Sequence, residues 1–428
     1  MKTHVYWKSN LPGRILGAGF FIAITVMISC TPIATTTAPQ ESVPASANDS
    51  HASYGAWMTI DGQTRQYPEI REKLLNIMEE YGISGLAIAV SQNPRETPLS
   101  YSTRYMIDLG YENPSTQKPI DENTLFRVDR LGQAVLGYSV FKLVDDGLFD
   151  MNRPLQSYLP KPLPEYPPFQ DLKNDSRYKR LTARQILIHQ SGLINSRKAR
   201  SDNRLNFEKS PGGSFGYSEE GIGLLRFVLA ETFGKKFNEI ARSNVFDALS
   251  LKTMGFELEP RFQSHLALAP DNKESVTNVT AEPSTAFYAT ASDFNKFLNT
   301  VIFGGGRFLK PMQSLPYYYS QIGIHSMTIY SPQRSHPLPN LPSEMGWAFG
   351  RIIYHGKDTK IGIMGERTPT SEYCAVTISG TAVTISGTPG PMTAITIFLV
   401  GNLRQSVTGL ILKEIIGDIS PPLEWLGF

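Results

Sequence analysis

The stretch Thr124–Pro160, TLFRVDRLGQAVLGYSVFKLVDDGLFDMNRPLQSYLP, decides how the rest of the chain is read. Phe126 and Val128 alternate with polar neighbours, the period of a strand end. From Leu131 to Val144 apolar residues fall on nearly every side of a helical wheel. Leu131, Val135, Tyr138 and Phe141 make one stripe, and Leu136, Val140 and Leu143 another. A helix apolar all round belongs inside the protein. Asp146-Gly147 supplies its stop, with glycine where a left-handed backbone is wanted. Beyond it, Asp150–Pro160 descends to the surface.

Upstream, Pro68–Tyr81 reads as an amphipathic helix with Ile70, Leu74, Ile77, Met78 and Tyr81 as its buried stripe, closed by Gly82. Leu86–Val90 follows as a fully apolar strand. Downstream, Pro160–Arg180 holds five prolines and reads as a charged loop. Thr182 can cap a helix whose Ile186 and Leu187 face inward. Leu224–Phe233 and Phe237–Leu251 read as two helices, and Ser292 as the cap of another that buries Phe294, Phe297 and Leu298. Met345–Tyr354 and Thr359–Met364 suggest two strands around a His355–Asp358 turn. The segment Ala375–Thr388 spells AVTISGT twice. With Ala394–Val400 it is expected to form edge-side strands, the repeat lengthening a hairpin. Ser406 is expected to cap a final helix, Val407–Ile416, ended by Gly417.

The 428 residues are 41% hydrophobic and 19% charged, within reach of one large α/β domain. A net charge of +2 gives no reason to expect nucleic acid. Residues 1–29 read as a secretory signal: Lys2, Lys8 and Arg14 without an acid, then an apolar run too short for a typical membrane span. Met27-Ile28-Ser29-Cys30 resembles a bacterial lipobox with Met in place of the usual Leu. Either Cys30 carries lipid and becomes the mature N-terminus, or its position is incidental. Residues 30–52 are rich in Thr, Pro, Ala and Ser and cannot bury a core, so they read as a tether. The only other cysteine is Cys374, so a lipidated Cys30 excludes a disulfide within the chain. The expectation is export across the inner membrane and anchoring in the bacterial envelope through the N-terminal lipid alone.

Several motifs converge on one family. Leu125-Phe126-Arg127-Val128, Asp145-Asp146-Gly147, Asp150 and Pro154–Pro160 frame the core helix. His189, Ser191, Gly192 and Leu193 follow Thr182 at fixed offsets, Tyr217-Ser218 follows Pro211-Gly212, and Gly346-Trp347 precedes Thr368-Pro369. The chain resembles the serine β-lactamase and penicillin-binding-protein family, especially its class C-like esterases and carboxypeptidases, over roughly residues 53–420. The resemblance implies an α/β (α+β) β-lactamase/transpeptidase-like fold: an antiparallel sheet built from both chain ends, flanked by helices, with a mostly helical region between. The domain is expected at 53–428, with its sheet part near 53–129 and 340–428 and its helical part near 130–339. No cofactor or metal is implied.

Active members of that family acylate the serine of Ser-x-x-Lys, with a second motif Tyr-x-Asn, a third-motif Lys or His, and two backbone N–H groups for the oxyanion. Counted from either flank, the serine's place here holds Arg130 and the lysine's place Gln133. Tyr217 matches, but the Asn position is Glu219. Thr368-Pro369 sets the third motif's register, which puts Met364 in the basic residue's place and Glu366 at the second glycine. An amide is no base at neutral pH, a guanidinium is no nucleophile, and Met364 is chemically silent. Losing a serine nucleophile alone typically costs on the order of 10⁶ in turnover. The usual acyl-enzyme route is therefore expected to be closed. His189 and Ser191 are expected to be structural, as they normally are in the family.

The substitutions leave alternatives. Arg130 and Glu219 form a charge pair across the old cleft, or both project into solvent after independent drift, or Arg130 offers a fork to a ligand carboxylate. Arg130, Tyr217, Glu219 and Glu366 are the candidate binding residues for a small molecule or cell-wall peptide. Ser-x-x-Lys also occurs at Ser115/Lys118, Ser139/Lys142 and Ser176/Lys179, all weak matches; of these only Ser139/Lys142 lies on the core helix. Ser218 is a still weaker nucleophile candidate. A non-catalytic binder is the first reading; a hydrolase with unusual residues and a structural envelope scaffold are the alternatives.

Overall fold

In the computed structural model, residues 56–59, 62–93, 103–270, 286–303, 322–323, 327–331, 334–338, 345–348, 351–355, 359–380 and 392–417 are described. The central layer is a nine-stranded sheet in the order Lys118–Pro119, Thr103–Asn113, Ile83–Asn93, Met392–Gly401, Ser371–Gly380, Thr359–Arg367, Arg351–His355, Met345–Ala348, Ile322–Gly323. Neighbours pair antiparallel. Early and late strands lie side by side, with Ile88 opposite Ile397. The sheet is thus built from both chain ends, as the resemblance implied, and also takes the Ile322–Gly323 strand from the stretch assigned to the helical part.

The apolar run Leu86–Val90 is buried on both faces because each face carries a layer. Leu86, Ile88 and Val90 join a core with helices Tyr67–Tyr81 and Thr408–Ile416. Ala87 and Ala89 join the other core, which contains helix Gly132–Asp145 and the helical region. Small side chains on that second face let the helical region approach the sheet closely. In helix Tyr67–Tyr81, Ile70, Leu74 and Met78 are buried, whereas Ile77 and Tyr81 are only partly covered.

The core helix is buried from Gly132 to Phe141, and Gly147 leaves it at φ 73°. It is entered through a 3₁₀ turn, Asp129–Leu131, that follows the short strand Phe126–Arg127. That strand belongs to a three-stranded sheet with Met254–Gly255 and Tyr288–Ala289. A Cβ on Gly132 would lie 2.8 Å from the Cβ of Phe287, so only glycine lets the helix start this close to its neighbour. This contact sets where the first turn, and therefore Arg130, can sit.

Several local expectations are corrected. Pro160–Arg180 is not a plain loop but a chain of 3₁₀ segments, Leu163–Glu165, Pro167–Asn174 and Ser176–Arg180. Proline presets a helical φ, and Leu163, Phe169, Leu172 and Tyr178 anchor the segments in the core. The second-motif helix starts at Glu219 rather than Leu224, capped by Ser218, whose Oγ accepts from Gly221 N at 3.0 Å. Phe237–Leu251 is helical only to Ala241 and then widens into a π turn, Arg242–Phe246. Thr290, not Ser292, caps Ala291–Leu298, accepting from Asp293 N at 3.2 Å. Met345–Tyr354 is two strands, paired with Met345 opposite Tyr354.

The first AVTISGT copy lies in Ser371–Gly380, which is interior to the sheet and not edge-side, because the hairpin strands Met392–Gly401 and Thr359–Arg367 flank it. The second copy and the 356–358 turn lie outside the described residues. The final helix, Thr408–Ile416, is capped by a buried carboxylate instead of Ser406. Glu372 accepts from Val407 N at 3.0 Å, Thr408 N at 3.3 Å, Thr408 Oγ1 at 2.6 Å and Ser406 Oγ at 2.6 Å. The expected signal, Cys30 and tether lie outside the described residues. No helix among the described residues is long and apolar enough to cross a membrane.

Candidate functional site

The three degraded motifs meet at the head of the core helix. Arg130 leaves the 3₁₀ turn toward the strand Thr359–Arg367. Its Nε lies 3.2 Å from Glu366 Oε1 and 4.0 Å from Glu219 Oε1, and its guanidinium sits 4.9 Å from the centre of the Tyr217 ring. The charge pair expected with Glu219 is present at its outer limit, but the nearer carboxylate is Glu366. One cation is therefore clasped by the residues at the Asn position of the second motif and a glycine position of the third. Their side chains are a fifth to a third exposed, so they do not drift in open solvent.

The electrostatics follow from crowding. Burial works against the Arg130 cation, but the Tyr217 oxygen, Glu366 and Glu219 outweigh it and hold its pKa above the usual value. Burial, with repulsion from Glu366, outweighs the attraction of Arg130 and pushes the Glu219 carboxyl up to about 7. Burial also lifts the Tyr217 phenol well above its usual range.

Tyr373 is the residue that sequence reasoning missed. Its hydroxyl donates a short hydrogen bond to Glu366 Oε2 and accepts from Arg130 N at 3.1 Å. The backbone N–H at the nucleophile's position is thus already engaged. The available signal was register: Thr368-Pro369 marks a tight turn, and Glu366 and Tyr373 are cross-strand partners around it. Met364 lies buried on the same strand and packs into the core that contains the core helix.

One turn along, Gln133 belongs to a neutral hydrogen-bonded chain. Ser218 N donates to His189 Nδ1 at 3.2 Å, which leaves the proton on Nε2, 3.3 Å from Gln133 Oε1. Gln133 Nε2 then donates to Tyr217 Oη at 2.6 Å. His189 is fully enclosed; burial first, and the Arg130 cation second, lower its pKa to about 3. An amide at position 133 satisfies both neutral partners, so His189 acts as a structural link.

The two buried alternative serines are held in structural hydrogen bonds. Ser139 is buried and donates to Val135 O at 2.8 Å, while Lys142 pairs with Asp146 at 2.5 Å. Ser218 is 1% exposed and donates to Ile194 O at 2.7 Å. Lys118 is held by Glu112 at 2.5 Å, and Ser176 starts a 3₁₀ segment outside the cleft. The remnant cleft has a volume of about 510 Å³ and is lined by Arg130, Gln133, Glu219, Glu366, Lys198 and Arg226 among others. Among the described residues no cluster of His, Cys, Asp and Glu could hold a metal ion.

Comparison with known proteins agrees with this fold. The Beta-lactamase family model matches residues 70–322, more than half of the chain. A β-lactamase from Pseudomonas fluorescens is 25% identical over 186 residues, covering 41% of this chain and 47% of that protein. The chain therefore spans about half the length of that curated relative. Among solved structures, an octameric penicillin-binding protein homologue from Pyrococcus abyssi aligns with a TM-score of 0.59 at 15% identity, over 84% of this chain and 77% of that one. A class C β-lactamase from Rhodobacter sphaeroides aligns with a TM-score of 0.56 at 15% identity, over 82% of this chain and 99% of that one. At such identities the structural likeness speaks for the fold alone, which is the β-lactamase/transpeptidase fold. With the motif frame, the sheet topology and the family match in agreement, this chain belongs to the β-lactamase family of serine hydrolase-like proteins.

Proposed function

We propose that this protein is a non-catalytic member of its family that binds a ligand or partner through the remnant cleft. The observation that carries the reading is the occupancy of the nucleophile's position. Arg130 stands there between Glu366 and Glu219, and its N–H is engaged by Tyr373 Oη. Acyl transfer needs a nucleophile, a base and an oxyanion cradle. The side chain at the first place cannot attack, Gln133 cannot take a proton, and burial keeps the Tyr217 phenol protonated, so it offers no phenolate to act as base. Among the described residues, a cleft of about 510 Å³ remains beside this cluster, large enough for a small molecule or a peptide end.

Intact-mass measurement after exposure to a fluorophosphonate and to a fluorescent penicillin tests the non-catalytic half. No adduct is expected, whereas a stoichiometric serine adduct would overturn it. Thermal shift against muropeptides, peptides and β-lactams tests the binding half, which fails if none of them moves the midpoint. The basic and apolar first 29 residues and Cys30 support placement in the bacterial envelope on a lipid. Labelling with radioactive palmitate, abolished by Cys30→Ala, is the expected outcome there.

A further inference from the structure

At one margin of the nine-stranded sheet, strand Thr103–Asn113 pairs with Ile83–Asn93 on its inner side, from Thr103 opposite Gln92 to Gly110 opposite Gly85. On its outer side, Lys118–Pro119 meets only Tyr111 and Asn113. Among the described residues no strand lies against the outer side of residues 103–109. An open row of backbone N–H and C=O groups is a template for another strand.

The side chains alternate across this edge strand. Tyr105, Ile107 and Leu109 are buried in the core that holds the helices Tyr67–Tyr81 and Thr408–Ile416. Arg104, Met106 and Asp108 take the other face, where Met106 packs against the core of the helical region. Arg104 is exposed and drawn toward Asp293. Its guanidinium carries five N–H donors, more than one carboxylate takes up. Asp108 is half-buried, and its enclosed Oδ1 has no hydrogen-bond partner among the described residues. Burial, with repulsion from Asp121 and Glu122, pushes its carboxyl up to about 7. Arg104 and Asp108 lie about 13 Å apart along an extended strand, so they cannot pair with each other inside one chain.

We infer that two copies of this chain join edge to edge, residues 103–109 pairing antiparallel with themselves about a two-fold axis at Met106. That register sets Arg104 opposite the second copy's Asp108 and Tyr105 opposite the second copy's Ile107, each pair occurring twice. A carboxylate crowded by two acids gains a cation, and an aromatic ring meets a β-branched side chain. A slip of two residues sets Arg104 against Met106 or Gly110 and loses both ion pairs, so charge fixes the register. The assembly goes beyond the binding reading above and does not depend on it.

Sedimentation velocity of the purified full chain with Cys30→Ala, which excludes both lipid and an incidental disulfide, reads the assembly over a concentration series. A monomer–dimer shift is expected, and a monomer at every concentration would overturn the inference. Arg104→Asp sets acid against acid at an exposed position and should raise the dimer dissociation constant about tenfold or more. An unchanged constant would overturn the ion pairs. Adding Asp108→Arg exchanges the signs and should recover the dimer. Cross-linking reads the register independently. Met106→Cys brings two Cα atoms about 5 Å apart across the axis, within reach of a disulfide. Arg104→Cys leaves them roughly 14 Å apart. Mild oxidation should give a covalent dimer from Met106→Cys and not from Arg104→Cys; equal yields, or the reverse, would overturn the pairing. If Asp108→Arg fails to fold, Arg104→Asp and the two cysteine variants still decide the matter.

Discussion

The contrast between His189 and Glu219 makes a quantitative prediction about pH. His189 stays neutral in the folded state down to about pH 3, whereas an unfolded His takes up a proton near 6.5. Between those values the unfolded chain binds one more proton, so this residue makes stability fall on acidification. Glu219 acts the other way. Its folded carboxyl keeps a proton up to about pH 7, above the usual 4.5, so its contribution is present at low pH and lost as pH rises through that window. From pH 4.5 to 6.5 the two slopes oppose each other, each at most about 1.4 kcal/mol per pH unit. Glu219→Gln removes one of them. The variant should lose roughly 2–3 kcal/mol more than wild type between pH 6.5 and 4.5, toward the lower figure because the Glu219 side chain is about a third exposed and screened. Urea unfolding at half-unit pH steps measures this, and the difference between the two profiles cancels the carboxylates remote from Glu219. Parallel profiles, or a variant that becomes less acid-sensitive, would refute the crowding argument for this cluster.

Three further perturbations bear on the same architecture. Arg130→Met leaves Glu219 facing Glu366 without the cation that offsets it, pushing the Glu219 carboxyl further up. Stability should then fall by about 1–2 kcal/mol more between pH 5 and 8 than it does in wild type, read by urea unfolding at the two values. Gly132→Ala forces a Cβ to 2.8 Å from Phe287 and should cost about 1–3 kcal/mol in a denaturant titration. Glu372→Gln removes the charge from a buried carboxylate that serves four donors at the start of the last helix. A loss of about 1–3 kcal/mol is expected by denaturant titration.

The parts of the fold that were legible in the sequence are those set by local period and punctuation. The core helix, the Leu86–Val90 strand and the glycine stops at 82 and 147 each carry their own signal. The misjudged elements are those fixed by distant partners. Pro160–Arg180 has the composition of a loop, yet Leu163, Phe169 and Leu172 bury it in short 3₁₀ turns. The cap of the last helix is Glu372, 36 positions before Thr408, so no window around Ser406 reveals it. The same holds at the site. Motif spacing located Arg130, Gln133, Glu219 and Glu366, but not which carboxylate Arg130 prefers, because that depends on how distant motifs meet in the fold.

The substitutions make physical sense as one coupled change more readily than as separate losses. A half-buried cleft does not accept a guanidinium in place of a hydroxyl unless anions gather round it. Glu366 and Glu219 stand where the family pattern has small or neutral groups, and both lie within ion-pair distance of Arg130. A second acid near the first then needs its own hydrogen bond, and Tyr373 Oη supplies it to Glu366 while taking up the Arg130 N–H. With a fixed cation one turn away, a protonated lysine at position 133 would face like charge in a buried setting; the Gln133 amide avoids that and closes the chain from Tyr217 to His189. Each replacement lowers the cost of the next. Reversing Arg130 alone would leave the carboxylates and phenol arranged around a missing charge, so the cluster holds itself in this arrangement by the same forces that fold it.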